Sequence, residues 1–171
     1  MGTGYSDANN IWLVTGASGH LGNNVVRELK NMEQRVRAFV IEQDIPPSLK
    51  GLDVEIVRGD ITDRDSIDPL FADTEGFDVI ALHLAGYVTI YGKYDERAYN
   101  INVNGTKNML EAAKAHGVKR FVYASTVHAI PEPDTDRTIT EIDHFDPDNV
   151  HGFYAKTKAL ATQHVMDAAK D

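Results

Sequence analysis

A doubly wound α/β fold, one parallel sheet with helices on both faces, is predicted by three observations. Apolar runs alternate with helical patterns along the chain, as repeated right-handed βαβ units require. The first run, Ile11-Trp12-Leu13-Val14, passes directly into a glycine-rich turn, Thr15-Gly16-Ala17-Ser18-Gly19-His20-Leu21-Gly22, that opens an amphipathic helix. The run Asp78-Val79-Ile80-Ala81-Leu82-His83-Leu84-Ala85 is almost continuously apolar, which suits a parallel strand covered on both sides. At 171 residues the chain supports one well-buried core and is too short for two ordinary domains.

Residues 1–10 have neither the basic start nor the apolar centre of a secretory signal, and read as a disordered lead-in to a domain over 11–171. Leu21, Val25, Val26 and Leu29 recur at helical spacing after the turn. Arg35-Val36-Arg37-Ala38-Phe39-Val40-Ile41 suits a second strand, and 42–50, with Pro46-Pro47, a loop. Val54-Glu55-Ile56-Val57 makes a short third strand ending at Gly59-Asp60-Ile61-Thr62-Asp63, where Thr62 or Asp63 caps a helix running to about Phe71. After strand four, a helical pattern over 96–116 carries Ile101, Met109, Leu110, Ala112 and Ala113, and Gly117 stops it. Strand five is Arg120-Phe121-Val122-Tyr123-Ala124-Ser125. Residues 130–149, with Pro131, Pro133 and Pro147 among acidic side chains, form a long loop of the kind that usually carries function, and 152–170 is helical. The last helix meets no stop signal and strand five would be a bare edge. The expectation is therefore a domain truncated at its C-terminal end, with a low melting temperature or self-association and little turnover of its own.

Composition narrows the function. Hydrophobic residues make up 42% and charged residues 25%, as in globular domains, and the longest mostly apolar stretch, 79–90, is too short to span a bilayer. A net charge of −9 argues against broad nucleic-acid or anionic-membrane binding, which needs basic patches. Any phosphate must then be held mainly by backbone amides. No cysteine is present, which excludes disulfides and thiolate metal sites and fits a cytoplasmic setting. The seven histidines show no metal-ligand spacing, so no metal is assigned.

In a doubly wound sheet, function sits at the carboxyl ends of the strands, which places the Gly16 turn, Asp60, Ala85-Gly86 and Ser125-Thr126 on one rim. The glycines suit a phosphate cradle: Gly16 for the sharp exit from the strand, Gly19 for close approach of a pyrophosphate, Gly22 for close helix packing. Tyr154 and Lys158 lie one helical turn apart, and of the seven tyrosines only Tyr154 has a lysine four residues on. An adjacent ammonium favours the phenolate, which would make Tyr154 an acid/base near neutral pH; the alternative is a surface helical pair. Ser125 or Thr126 would polarise a carbonyl or simply end a strand, Asp60-Ile61 would border an adenine or cap a helix, and Asn102, if buried, would hold a backbone carbonyl or a water.

With Thr15-Gly16-x-x-Gly19-x-x-Gly22, Gly59-Asp60-Ile61, His83-Leu84-Ala85, Asn102-Val103-x-Gly105-Thr106, Ser125-Thr126 and Tyr154-x-x-x-Lys158 in this order, the chain resembles the extended short-chain dehydrogenases/reductases over nearly its whole length. Within them it is similar to the NAD-dependent epimerase/dehydratase and dihydroflavonol-reductase-like branch. The resemblance implies a Rossmann domain in which Gly16, Ser18, Gly19, His20, Leu21 and Gly22 hold the pyrophosphate, Asp60 and Ile61 border the adenine, and Leu84, Ala85, Gly86 and Asn102 add to the cofactor site. It implies Tyr154 as acid/base during hydride transfer at the nicotinamide, Lys158 on the nicotinamide ribose lowering the pKa of Tyr154, and Thr126 as the usual catalytic Ser/Thr. Family members continue into a smaller substrate lobe that these residues lack.

Departures from the family pattern sharpen the expectation. Val40 and Ile41 stand where an Asp for NAD or an Arg for NADP is usual, so the cofactor is NAD or NADP. Glu42 and Asp44 would repel a 2′-phosphate and lean the choice to NAD, and Arg37 is the residue that would reverse it. Thr126 is followed by Val127-His128 rather than Asp-Glu, against a 4,6-dehydratase, and Ala129-Ile130-Pro131 replaces the Val-Tyr-Gly of many epimerases. The first reading is thus an NAD(P)-dependent carbonyl/alcohol oxidoreductase, the second a nucleotide-sugar epimerase, the third a non-catalytic dinucleotide-binding regulator. A small-molecule substrate is the expected partner and a homodimer the candidate assembly.

Overall fold

The structure is a computed structural model and describes residues 9–42, 47–90, 92–133 and 138–170. Residues 1–8 of the expected lead-in, and Asp44 and Pro46 of the loop after strand two, lie outside the described residues. Five strands, β1 (Asn10–Thr15), β2 (Arg35–Val40), β3 (Glu55–Arg58), β4 (Asp78–His83) and β5 (Arg120–Tyr123), form one parallel sheet in the order β3-β2-β1-β4-β5. Asn10 corrects the lead-in boundary: it is buried in β1 opposite Asp78, because the β1–β4 pairing extends one residue further than the apolar run.

Period-two alternation puts apolar side chains on both faces of the sheet. Ile11, Leu13, Phe39 and Val79 share one core with Ile61, Ile67, Leu70, Phe71 and Met109. Val14, Val36, Ala38, Val40, Ile80 and Leu82 face the other way, against Val26 and Leu29 of α1 (His20–Asn31). Asp63 caps the short α2 (Arg64–Ile67) by accepting a bond from the Asp65 amide, and a 3₁₀ turn continues it to Phe71. The long predicted helix is three pieces in one run: α3 (Glu96–Tyr99), a π-helical turn (Asn100–Asn104) and α4 (Gly105–Ala115), followed by Gly117 at φ +63°. The last helix, α5 (Phe153–Ala168), turns Ala155, Ala159 and Ala161 inward, and these small side chains let its backbone lie close to the domain. Among the described residues no helix is long and apolar enough to cross a membrane.

The strand order reverses at β1, between β2 and β4, so the turns after β1 and β4 flank the crevice where a doubly wound sheet binds its ligand.

Candidate active site

A groove of about 680 Å³ opens at that switch point. It is lined by Gly16, Ser18 and Gly19, by Phe39, Val40 and Ile41 at the end of β2, by Asp60, Ile61 and Thr62, by residues 84–87 and by Glu96, Arg97, Asn100 and Ile101. Gly16 has φ +66°, and a Cβ there would stand 2.7 Å from the Ala85 nitrogen and 2.8 Å from the Leu84 carbonyl carbon, so two backbones meet where no side chain fits. A Cβ on Gly22 would run into the Gly16 carbonyl.

Gly19 precedes α1 with no side chain capping it, and the helix's first turn holds no acidic residue. The amides of its first residues, His20, Leu21 and Gly22, therefore face no competing side-chain oxygen, with the positive end of the dipole behind them. The side chains of His20 and Leu21 are exposed and do not line the groove, so those two positions offer backbone only.

At the other end, one Asp60 oxygen accepts from both the amide and the hydroxyl of Thr62, at 2.8 Å each, and the Asp60 amide donates to Ser66 Oγ. Asp60 thus stiffens the turn as well as lining the groove. Arg37 is buried and committed: it donates to Glu55 Oε2 at 2.8 Å and to the carbonyls of Leu70 (2.8 Å) and Ala72 (2.6 Å).

Asn102 is buried and holds a backbone carbonyl, as expected of it if buried. It is 1% exposed, its Oδ1 accepts from the Tyr87 amide at 2.8 Å, and its Nδ2 donates to the Tyr87 carbonyl (2.9 Å) and to Thr157 Oγ1 (3.0 Å). Both amide hydrogens and one lone pair of Oδ1 are thus used in tying the groove wall after β4 to α5. Asn102→Ala should cost about 2–4 kcal/mol by stranding the Tyr87 amide and carbonyl, seen as a lower melting temperature. The π-helical turn makes room for this side chain in an otherwise helical run.

Tyr154 and Lys158 lie on α5, and Thr126 just past β5, at the same rim; none of the three lines the groove itself. Lys158 is 4% exposed and its Nζ donates to the Ala124 carbonyl at 2.7 Å. Burial lowers its pKa to about 8. Tyr154 departs from expectation: burial raises its pKa, opposed in part by the Thr126 hydroxyl. The Lys158 ammonium is directed at the Ala124 carbonyl and the Tyr123 ring. Thr126 starts a 3₁₀ turn (Val127–Ala129) and accepts from the His128 amide at 3.4 Å, while the Ser125 hydroxyl is taken up by Thr162 at 2.6 Å. Of the two hydroxyls, the structure brings only Thr126 to Tyr154.

Sequence reading assigned no role to His83, which is fully buried beside Thr15 and Thr106. Thr106 Oγ1 donates to the Asn102 carbonyl at 2.7 Å, so it accepts from His83 Nε2 (3.0 Å); His83 Nδ1 then accepts from Thr15 Oγ1 (2.8 Å), whose oxygen takes the Leu84 and Ala85 amides at 3.2 Å. This string ties the glycine turn to the helix that carries Asn102. The signal available was a lone histidine inside an apolar strand, a position that burial tolerates only when both ring nitrogens are satisfied.

Residues 12–171 match the NAD dependent epimerase/dehydratase family, and the chain belongs to it, within the extended short-chain dehydrogenases/reductases. Sterol demethylase protein B of Methylococcus capsulatus is 34% identical over 157 residues, covering 90% of this chain and 45% of that protein. A 3 beta-hydroxysteroid dehydrogenase/Delta 5-->4-isomerase of Mycobacterium tuberculosis is 33% identical over 163 residues, covering 90% and 41%. A short-chain dehydrogenase/reductase superfamily protein from Agrobacterium tumefaciens, solved with bound NAD, superposes with a TM-score of 0.69 at 30% identity, covering 91% of this chain and 44% of that one. The chain thus spans less than half the length of these relatives.

Proposed function

We propose that this domain binds a nicotinamide dinucleotide along the groove and serves an oxidoreductase that interconverts a carbonyl and an alcohol. The observation that carries the reading is the pairing of an uncapped helix start, open at Gly16 and Gly19, with Thr126, Tyr154 and Lys158 at the same rim. The cradle fits such a cofactor: the amides of residues 20–22 would take the pyrophosphate at the side-chain-free Gly19, Asp60 and Ile61 the adenine edge, and residues 84–86 the stretch between. The bound dinucleotide supplies the hydride. Tyr154 exchanges a proton with the substrate oxygen, Thr126 donates to that oxygen, and Lys158 presents its ammonium to the ribose. Two relatives bear names from sterol chemistry, which favours a secondary alcohol or ketone on a carbocyclic frame over a nucleotide sugar, with epimerisation as the second reading. Titration calorimetry with NADH tests the cradle, and a heatless titration would refute it.

Preference for NADH follows from the end of β2. Val40 and Ile41 offer no cation there, Arg37 is held by Glu55 and two carbonyls, and Arg58 donates to the Glu42 carbonyl at 3.1 Å. At the end of β2 a 2′-phosphate meets no poised guanidinium among the described residues, so NADH should bind at least about tenfold more tightly than NADPH. Parallel titrations decide it, and the reverse order would show that a cation is recruited.

A further inference from the structure

Lys158 rests on an aromatic ring. Its Nζ lies 4.1 Å from the centroid of the Tyr123 ring, and that ring stacks on His83, its register partner on β4, with centroids 5.6 Å apart and planes 23° from parallel. The Tyr123 hydroxyl is buried and meets no partner in good hydrogen-bond geometry among the described residues: Thr106, whose hydroxyl opposes the rise in its pKa, is already engaged with His83 and the Asn102 carbonyl, so no well-formed bond of the phenol oxygen accounts for this residue. The ring does. Burial and the nearby Lys158 charge push the His83 pKa down to about 3, and burial pushes the Tyr123 phenol up, so both stay neutral beneath the ammonium. Tyr154, on the same helix as Lys158, is also kept as the neutral phenol by burial. The hydrogen-bond acceptor that Lys158 meets among the described residues is the uncharged Ala124 carbonyl. A buried ammonium with such neighbours gains appreciably from a π face, since little water screens the attraction.

We propose that Tyr123 is a positioning residue: the face of its ring, not its hydroxyl, holds and stabilises the Lys158 ammonium at the end of β5, with His83 packed against the same ring. Ring attraction and the Ala124 carbonyl together fix the amine at two points, which directs its remaining N–H donors towards the rim. The consequence for catalysis rests on the function proposed above, whereas the placement of the ammonium is a property of the free protein.

Two ring-preserving changes test it. Tyr123→Phe keeps the π face and removes the hydroxyl; pentafluorophenylalanine at position 123 keeps the ring's shape and reverses the charge of its face. The titration of Lys158 is followed by NMR of protein labelled with 13C at the lysine ε-carbon, the resonance being assigned by its loss in Lys158→Arg. Tyr123→Phe should leave the midpoint near 8 and melt no lower than the parent, and the fluorinated ring should lower the midpoint by about one unit. An unmoved midpoint with the fluorinated ring, or an equal fall in Tyr123→Phe, would overturn the proposal. NADH titration of the same proteins separates the two readings: no binding by the parent refutes the dinucleotide site and leaves the Lys158 result standing.

Discussion

Gly16→Ala is expected to destabilise the domain by about 2–5 kcal/mol, while Gly19→Val leaves the fold intact and abolishes NADH binding. The two glycines sit three residues apart and answer to different constraints. Gly16 is left-handed at φ +66° and packs its α-carbon against the Leu84–Ala85 peptide, so an added methyl meets backbone that cannot swing aside. Strain and overlap then add, and the damage falls on the β1–β4 junction that holds the sheet together. Gly19 instead has φ −73° and ψ 172°, an extended conformation that a β-branched residue adopts without strain, and its Cβ would have only the Gly16 carbonyl near it, at 3.2 Å. Valine there fills the space in front of the α1 amides and leaves the core untouched. Circular dichroism melts and calorimetry on both variants separate the effects. NADH bound at parental strength by Gly19→Val would move the pyrophosphate away from this turn.

The parts of this architecture that were legible in the sequence are those that local pattern controls. Ile11 and Leu13 against Val14, and Val79 against Ile80 and Leu82, alternate because each face of a parallel sheet must be covered, and that alternation reads directly from the chain. Asp63 as a helix cap and Gly117 as a stop depend on conformations that few residue types supply. The glycine turn was legible for the same reason. Boundaries set by pairing were not: Asn10 joins β1 only because Asp78 stands opposite, and nothing in residues 1–10 reveals it.

The site was legible as a set of positions and illegible as a set of bonds. Asn102 stood out within its motif, yet its work on Tyr87 and Thr157, 15 and 55 residues away, depends on how the π-helical turn is packed. His83 looked like a polar interruption in an apolar run, and only the tertiary fold supplies the two threonines that let it stay buried and neutral. Spacing placed Tyr154 and Lys158 on one face of a helix but did not give the direction of the ammonium. That direction is set by the end of β5, where the Ala124 carbonyl and the Tyr123 ring draw the amine inward, while burial is what raises the Tyr154 pKa.

Tyr154→Phe should reduce turnover of an alicyclic ketone with NADH by about 10²–10⁴-fold and leave NADH affinity nearly unchanged, the signature of losing a proton donor rather than a binding contact. Because burial raises its pKa, Tyr154 is the phenol at neutral pH and is ready to give a proton to a carbonyl oxygen. Ketone reduction should therefore be fastest at neutral pH and decline as pH rises, whereas oxidation of the corresponding alcohol, which needs the phenolate as acceptor, should rise with pH. Lys158→Met should lower both turnover and NADH affinity, and unfolding will not be the cause. The Lys158 amine has a folded-state pKa near 8 against an ordinary 10.5, so the buried charge costs stability in full below pH 8. Between about 8 and 10.5 the unfolded chain binds more protons than the folded one, and stability gained relative to Lys158→Met grows with pH over that window. Rates in both directions across pH, with melts of all three proteins at pH 7 and 10, check each step. A Tyr154→Phe protein that reduces ketone at the parental rate would take the proton transfer away from Tyr154.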